Sequence, residues 1–476
     1  MSSMHVTTSS ASLCAKSATE LARMIRDRET TSCEVVDACL SRIDAVNPAV
    51  NAVTTTLEVA ARDAARRVDR AIAAGTALGP LAGVPFTVKE NIDVAGSATT
   101  WGLPAFAGQI AAHDAPLVAR LREAGAIPLA RTNMPDFAFR WDTVSASAGR
   151  TLNPWDPART PGGSSGGEAV ALATGMTPLG FGSDLGGSLR VPSQMCGTTA
   201  IRPSRGRVAD AWVTEPPQTL AVQMSNCVGP MARCVADLRI ALSIVSQPDT
   251  RDPRWVPAPL RVSASRDRCR VAVVRDPLGA GVDPHVRDGV ERAAAWLSDA
   301  GYDLVEAEPP HIADAVAAWV DALFAELSVL WPTMEPIAGE GQRAFMAACL
   351  EKGVFTPVDQ AKQLATWIAA HRVGAAWAQF LGEHPIILAP VCCQRAWPLD
   401  EDIRRPDAVA AAMRMVVPVN ILGLPACAVP VGQADGLPQG VQLIGGRFQE
   451  HVLLDAAQAI EDRAPVLTPI QPRSAS

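Results

Sequence analysis

The chain has 476 residues, 48% of them hydrophobic, and a formal net charge of −7 at pH 7. That length and composition allow a large buried core in one large domain or two. The net negative charge, without any basic tract, argues against nucleic acid or an acidic membrane surface as a partner. The Ser/Thr-rich N-terminus lacks an apolar signal core, and no apolar run reaches the ~18 residues of a membrane span. We therefore expect a cytoplasmic protein.

The cysteines and the other metal-ligating residues show no pattern typical of a bound group. The eleven cysteines are scattered, odd in number and form no paired C-x-x-C sites, which favours reduced thiols over disulfides or zinc. Neither a nucleotide-binding loop nor a haem motif is found. The sequence therefore predicts no cofactor and no metal.

Residues 1–75 are predicted to form an N-terminal helical layer. Capping boxes of the form S-A-T-E and T-S-C-E begin at Ser17 and Thr31, each followed by apolar residues at helical spacing. Pro48 is expected to end the second helix, since proline interrupts helical hydrogen bonding. An Ala- and Arg-rich third helix is predicted over 57–74.

The remainder, 76–476, is predicted to be an α/β domain. A strand-like apolar run within 81–94 ends at Lys89, and a helix over 115–126 precedes a short strand at 127–130. This alternation of strands and helices with short connections indicates a largely buried sheet. Further along, the patterns predict a strand over 269–274, a helix over 282–300 and a strand over 386–390.

Residues 305–415 are rich in Ala and Trp, read as helical and contain few motifs. We expect this variable region to cover the substrate, within what is one structural domain overall.

Two glycine-bracketed serine clusters stand out, GGSSGG at 162–167 and GGS at 186–188, with an apolar helix candidate between them. Glycine permits tight turns and a close approach of substrate, so a serine there can be exposed beside backbone N–H groups, as acyl transfer requires. Linkers are the common alternative, but linkers do not carry buried helices. The P-loop form and the G-x-S-x-G elbow are both absent.

These motifs resemble the amidase signature family, whose pattern is GGSSGG followed by G-[ST]-D-x-G-G-S-[IL]-R. The resemblance extends over most of residues 20–250 and 385–460. It implies an α/β fold with a large mixed β-sheet covered by helices on both faces. It further implies that Ser188 is the nucleophile, that Ser164 lies in an unusual cis peptide, and that Lys89, in the segment GVPFTVKEN, is the base of a Ser-cisSer-Lys relay.

The proposed base must be uncharged, although an unperturbed lysine has a pKa of about 10.4. The apolar neighbours of Lys89 can supply part of the burial that this requires. The residues alone also leave a distant histidine open as the base, because triad partners need not be close in sequence. The resemblance implies an oxyanion hole formed by the N–H groups of Leu185, Gly186, Gly187 and Ser188. Support for the relay and its turn is expected from Ser165, Asp184 and Arg190.

Three places depart from the family pattern: Glu168 directly after GGSSGG, Arg205, and the segment 139–143. Arg205 or Arg140 is considered as a partner for a substrate carboxylate, against the alternative of a solvated arginine. A substrate pocket is predicted from Trp141, Arg205 and Trp212, with the two tryptophans as its aromatic part.

The function expected is hydrolysis of a carboxylic amide to an acid plus ammonia or an amine, through a serine acyl-enzyme. The alternatives within the family are a carbamate or ester hydrolase, or the amidase subunit of a tRNA-dependent amidotransferase. A catalytically silent binding module on the same fold is the alternative from another class. The expected partner is a small-molecule amide, carbamate or ester, with neither nucleic acid nor membrane, and the oligomer considered is a homodimer.

Overall fold

A computed structural model describes residues 10–211, 218–260 and 269–474. Most of its strands form one mixed sheet of 11 strands. The strands are β1 (Val53–Thr56), β2 (Pro85–Lys89), β3 (Ile127–Thr132), β4 (Val144–Ser145), β5 (Gly149–Arg150), β6 (Leu179–Ser183), β7 (Thr199–Arg202), β8 (Val228–Ala232), β9 (Arg270–Val273), β10 (Asp303–Glu306), β11 (Ile386–Pro390), β12 (Ala426–Ala434) and β13 (Leu437–Gly445).

The helices pack against both faces of this sheet. They are α1 (Ser10–Ala15), α2 (Ala18–Arg26), α3 (Ser32–Val50), α4 (Glu58–Ala73), α5 (Pro116–Glu123), α6 (Gly166–Ala173), α7 (Arg190–Cys196), α8 (Leu220–Ser225), α9 (Val235–Val245), α10 (Pro284–Asp299), α11 (Ile312–Met334), α12 (Glu340–Glu351), α13 (Gln360–Glu383), α14 (Glu401–Arg404), α15 (Pro406–Ala412), α16 (Val417–Ile421) and α17 (Glu450–Glu461). None of the helices in the described ranges combines the length and the apolar character needed to cross a bilayer.

The strand order is β1-β3-β2-β6-β8-β7-β12-β13-β11-β9-β10. β2 runs parallel to both β3 and β6, whereas β8, β7, β12 and β13 are joined by antiparallel pairs. The α/β fold with a large mixed sheet is therefore confirmed.

The alternation of side chains along β2 explains how the sheet separates core from site. Phe86 and Val88 point into the apolar cluster that α2, α5, α9 and α17 form with one face of the sheet. Thr87 and Lys89 must then point to the opposite face, since successive strand residues alternate. That face is covered by α6, whose residues Ala169–Ala173 are completely buried.

The described N-terminal part agrees with the sequence prediction except at three points, the first of which is the short helix α1, which was not predicted. Both capping boxes form, at Ser17 and Thr31. Pro48, however, lies inside α3, which continues to Val50 and ends at Asn51 in the left-handed conformation. The expected helical layer also contributes a strand, because β1 pairs antiparallel with β3 at the edge of the main sheet.

Candidate active site

The lysine at the end of β2 reaches the first glycine–serine cluster. Lys89 Nζ donates a hydrogen bond to Ser164 Oγ at 2.6 Å and another to Ser183 Oγ at 3.0 Å. Ser183 is the last residue of β6, the strand beside β2, and Asn91 Nδ2 also donates to its hydroxyl at 2.9 Å. The parallel pairing of β2 and β6 thus brings the amine to the Ser183 hydroxyl, and the loop before α6 adds the Ser164 hydroxyl.

The Lys89 amine is completely buried, and burial lowers its pKa to about 7. The carboxylates of Asp184 and Glu168 act in the opposite direction, because a negative charge stabilises the ammonium form. At neutral pH a substantial fraction of Lys89 is therefore uncharged, as a proton acceptor must be.

Ser164 lies in a loop where the backbone packs against backbone. The Gly163–Ser164 peptide bond is cis. A Cβ at Gly163 would lie 2.6 Å from the carbonyl oxygen of Arg140, so only glycine fits this position. Thr143 Oγ1 donates to Gly162 O at 2.8 Å and fixes the preceding peptide. The backbone of this loop is thus tightly packed against the segment 140–143.

Ser188 lies in a turn organised by one buried carboxylate. Asp184 accepts the N–H groups of Gly187 and Leu189, and it pairs with Arg190, whose Nε lies 3.0 Å away. Burial tends to raise the pKa of Asp184, but Arg190 outweighs it and holds that pKa well below its usual range. Asn420 Nδ2 donates to the same carboxylate at 2.8 Å. Asp184 and Arg190 therefore form the scaffold of this turn.

The two serine clusters meet through Ser165. Its N–H donates to Ser188 O at 3.2 Å, and its hydroxyl donates to Ser183 O at 3.4 Å. The Ser188 hydroxyl itself makes no hydrogen bond to Ser164 in the described part of the chain, where the partner of Ser164 Oγ is Lys89. The structure brings Lys89 and Ser164 into contact and places Ser188 beside them through the main chain.

The expected oxyanion donors differ in what they already bind. The Gly187 N–H donates to Asp184 Oδ1 at 2.8 Å, so in this conformation it is not available to a substrate, which corrects the prediction for that residue. Within the described ranges the N–H groups of Leu185, Gly186 and Ser188 donate to no acceptor. They remain the candidate donors.

The stacked indoles of Trp141 and Trp319 hold residues 185–186 through their carbonyl groups. Trp319 Nε1 donates to Leu185 O at 3.0 Å, and Trp141 Nε1 donates to Gly186 O at 2.8 Å. The two ring centroids are 6.2 Å apart, with an interplanar angle of 29°. Because C=O and N–H point in opposite directions in a trans peptide, fixing Leu185 O also fixes the direction of the Gly186 N–H.

A small cavity opens at Ser188, and its walls are apolar or aromatic apart from Ser188 itself, Arg140 and backbone groups. The 305–415 region contributes Trp319, Leu323, Phe345 and Phe355. Trp141, one of the residues predicted for the substrate pocket, also lines this cavity. No histidine is among the lining residues in the described part of the chain, so a histidine base for Ser188 finds no support there.

The two arginines considered from the sequence as partners of a substrate carboxylate, Arg140 and Arg205, bind other groups of the protein. Arg140 is buried and bound to Asp402, with Nη2 at 2.7 Å from Oδ1 and Nε at 3.0 Å from Oδ2. Arg205 lines a different cavity, near Trp367, where Nη1 donates to Met224 O at 3.0 Å. Both predictions of a substrate-carboxylate partner are therefore wrong in this conformation. Trp212 lies outside the described residues.

One acidic group has the ligand types of a metal site. Ligand oxygens of Asp142, Asp400 and Asp402 lie within 4.8 Å of one another. The guanidinium groups of Arg140 and Arg150 lie among them, with Arg150 Nη1 2.6 Å from Asp142 Oδ2. These arginines neutralise the carboxylates and fasten the 140–142 segment behind Gly163.

Residues 34–454 match the family described as Amidase. The chain belongs to the amidase signature family. An indoleacetamide hydrolase of Bradyrhizobium diazoefficiens is 40% identical over 465 residues, covering 95% of this chain and 87% of that protein. The A subunit of a glutamyl-tRNA(Gln) amidotransferase from Symbiobacterium thermophilum is 34% identical, covering 94% and 96%. The solved structure of a 6-aminohexanoate cyclic dimer hydrolase superposes with a TM-score of 0.82 at 26% identity, covering 97% and 99%.

As a member of this amidase family, the protein is an amide-hydrolysing enzyme. Three residues of the site, Ser183, Asn91 and Trp319, were not predicted from the sequence. Ser183 directly precedes Asp184 in the second motif, which was the available signal. The contacts of Asn91 and Trp319 depend on the order of strands and on helix packing, which no local pattern specifies.

Proposed function

We propose that this amidase uses Ser188 as its nucleophile, with Ser164 and Lys89 as a proton relay. The 2.6 Å contact between Lys89 Nζ and Ser164 Oγ, beside Ser188 at the base of an apolar cavity, is the observation that supports it. A neutral amine accepts the Ser164 proton, and Ser164 accepts that of Ser188 after a rotation of the two hydroxyls toward each other. Ser188 Oγ then attacks the amide carbonyl carbon.

The relay runs in reverse to complete acylation. Lys89 returns its proton to Ser164, which protonates the leaving nitrogen as the carbon–nitrogen bond breaks, and an ester on Ser188 remains. Water then attacks this ester, its proton enters the same relay, and Ser188 regains its hydrogen as the acid departs. The N–H groups of Leu185, Gly186 and Ser188 stabilise the oxyanion in both steps. Each such donor is worth about 3–4 kcal/mol in related acyl-transfer sites.

The cavity favours an uncharged amide with an aromatic or apolar acyl group. Its walls include Phe139, Trp141, Trp319 and Phe345, and its guanidinium is already bound to Asp402. A substrate carboxylate would be desolvated there without a partner, which is unfavourable. The 40% identical relative, named for indoleacetamide, supports the same substrate class.

The purified chain is expected to release ammonia from phenylacetamide with a kcat/KM about 100-fold above that for succinamic acid, a half-amide of similar reactivity. Ammonia release by the isolated chain is the measurement. Equal or faster hydrolysis of succinamic acid contradicts the apolar assignment. Inactivity of the isolated chain on every small amide favours the amidotransferase-subunit alternative, in which partner chains are required.

Activity is expected to fall below a midpoint of about pH 7, because the buried Lys89, with its pKa lowered to about 7, must be uncharged to accept a proton. Lowering the pH protonates the amine and removes the acceptor, and raising the pH restores activity to a plateau. The measurement is kcat/KM for phenylacetamide between pH 5 and 10 at constant ionic strength. An optimum at acidic pH would exclude a neutral lysine base.

A further inference from the structure

Glu168, which departs from the family pattern, is a completely buried carboxyl group in the first turn of α6. Thr87 Oγ1 donates to its Oε1, and Thr132 Oγ1 donates to its Oε2 at 2.7 Å. Gly180 of β6 leaves the space that the carboxyl group occupies, since any Cβ there would collide with it. Residues of β2, β3 and β6 therefore fix the position of the Glu168 carboxyl group.

The two threonines that hold Glu168 flank Lys89. Thr87 is two residues before Lys89 on β2, so both side chains lie on the same face of the sheet. Thr132 is directly opposite Lys89 in the parallel pairing of β2 with β3. Glu168 and Ser164 also belong to one continuous segment, the loop and first turn of α6. The Lys89 amine, the Ser164 hydroxyl and the Glu168 carboxyl group thus belong to one buried region.

Among the cations near the Glu168 carboxylate, Lys89 is the one best placed to balance its charge. In the described part of the chain, no lysine, arginine or histidine nitrogen lies within 4.0 Å of the Glu168 carboxylate, whereas Asp184 is already paired with Arg190. Arg131 of β3 is the second cation that faces Glu168, and Glu90 and Asp93 also face Arg131. Arg131 donates to the main chain, to Ile92 O at 2.7 Å.

The titration behaviour agrees with this pairing. Burial raises the pKa of Glu168 to about 7, while the hydroxyls of Thr87 and Thr132 and the charge of Lys89 act against the rise. Glu168 in turn acts to raise the pKa of Lys89. A buried ion without a partner is strongly unfavourable, so the two charges stabilise each other, in addition to the effect of Asp184 on Lys89 and of the two threonine hydroxyls on Glu168.

We propose that Glu168 is a positioning residue whose carboxylate is the counter-charge of the Lys89 ammonium that forms when the relay accepts a proton. The inference rests on the proposed relay. Without this carboxylate the ammonium would be less stable and the neutral amine a weaker base toward Ser164, because Asp184, the other carboxylate that acts on Lys89, is already paired with Arg190. Glu168 acts through Lys89 and does not touch the substrate.

The test is the pH dependence of covalent labelling of Ser188 by a fluorophosphonate, which needs no knowledge of the substrate. In Glu168→Gln the side-chain shape and a hydrogen bond to each threonine are retained, but the charge is lost. We call the fall in labelling rate at low pH the acid limb. Its midpoint is expected to shift to lower pH by about one unit or more, since loss of a nearby negative charge lowers the pKa of an amine. The plateau rate is expected to fall about tenfold.

Glu461→Gln is the matched control. The pKa of Glu461 is likewise raised to about 7 by burial, but this residue accepts a hydrogen bond from Val235 N and contacts no relay residue. Its acid limb is expected to coincide with that of the unaltered protein. A Glu168→Gln limb that stays in place or moves up overturns the inference, whatever the rate, because a merely structural role lowers the rate without moving the limb.

Two further variants, Thr132→Val and Lys89→Met, cover a failure of Glu168→Gln to fold and separate the role of Glu168 from the relay itself. If Glu168→Gln does not fold, Thr132→Val is measured instead: it removes one donor from the carboxylate, raises the pKa of Glu168 and is expected to move the limb down by a smaller amount. Lys89→Met is labelled in parallel. Labelling of Lys89→Met at the unaltered rate would refute the proposed relay itself, whereas loss of labelling combined with an unmoved Glu168→Gln limb refutes only the role of Glu168.

Discussion

Replacing Ser188 with alanine is expected to reduce amide hydrolysis by roughly 10³–10⁶-fold, the range found when a serine nucleophile is removed. The fold should be retained, because the Ser188 hydroxyl makes no hydrogen bond within the described residues and its loss leaves no buried group unpartnered. The measurements are the rate of ammonia release, fluorophosphonate labelling, and Tm, which should change little.

Ser193→Ala is the matched control for Ser188→Ala. Ser193 is a buried serine of the adjacent helix α7, and its hydroxyl accepts a hydrogen bond from Thr198 rather than facing the cavity. Its activity should remain close to that of the unaltered enzyme. A Ser188→Ala protein that hydrolyses phenylacetamide at a near-native rate would show that another group attacks the carbonyl.

Replacing Lys89 with methionine is expected to lower kcat by roughly 10³-fold, because the proton of Ser164 then has no acceptor. Methionine has a similar length and suits a buried position, so the strand should form normally. Lys89→Arg should fail as well, since a guanidinium stays protonated at any pH at which the protein is folded. Steady-state kinetics with phenylacetamide at pH 8 measure both variants.

Lys362→Met is the control for Lys89→Met. Lys362 is a half-buried lysine near the surface of α13 whose Nζ lies 2.7 Å from Asp321, and such a surface pair contributes at most about 1 kcal/mol. Its kinetics should be unchanged. Activity in Lys89→Met that matches that of Lys362→Met would mean that the base lies elsewhere.

The sequence was most informative where a local physical rule decides the structure. Capping boxes at Ser17 and Thr31 formed because the donors and acceptors that satisfy a helix N-terminus lie within four residues. The strand that ends at Lys89 followed from its apolar residues. Pro48 was misjudged, because in the last turn of α3 a missing N–H removes only one hydrogen bond and the chain continues to Asn51.

The parts of the site that could not be predicted depend on distant segments. Arg205 was expected near the substrate, yet its place beside Met224 and Gly423 is set by the packing of α8 and the loop after α16. The occupied N–H of Gly187 depends on the side-chain rotamer of Asp184. The neighbours of Lys89 on β3 and β6 come from strand order, which is a property of the whole sheet and not of any window of residues.

The indoles of Trp141 and Trp319 have a consequence for changing the substrate range of this enzyme. The same two side chains that line the cavity also hold the carbonyls of Leu185 and Gly186, so a substitution made to enlarge the cavity there is expected to loosen the segment that carries the proposed oxyanion donors. Leu323 and Phe345 border the same space without such bonds to that segment. Libraries aimed at bulkier amides are therefore best directed at these outer positions, where selectivity can be varied independently of turnover.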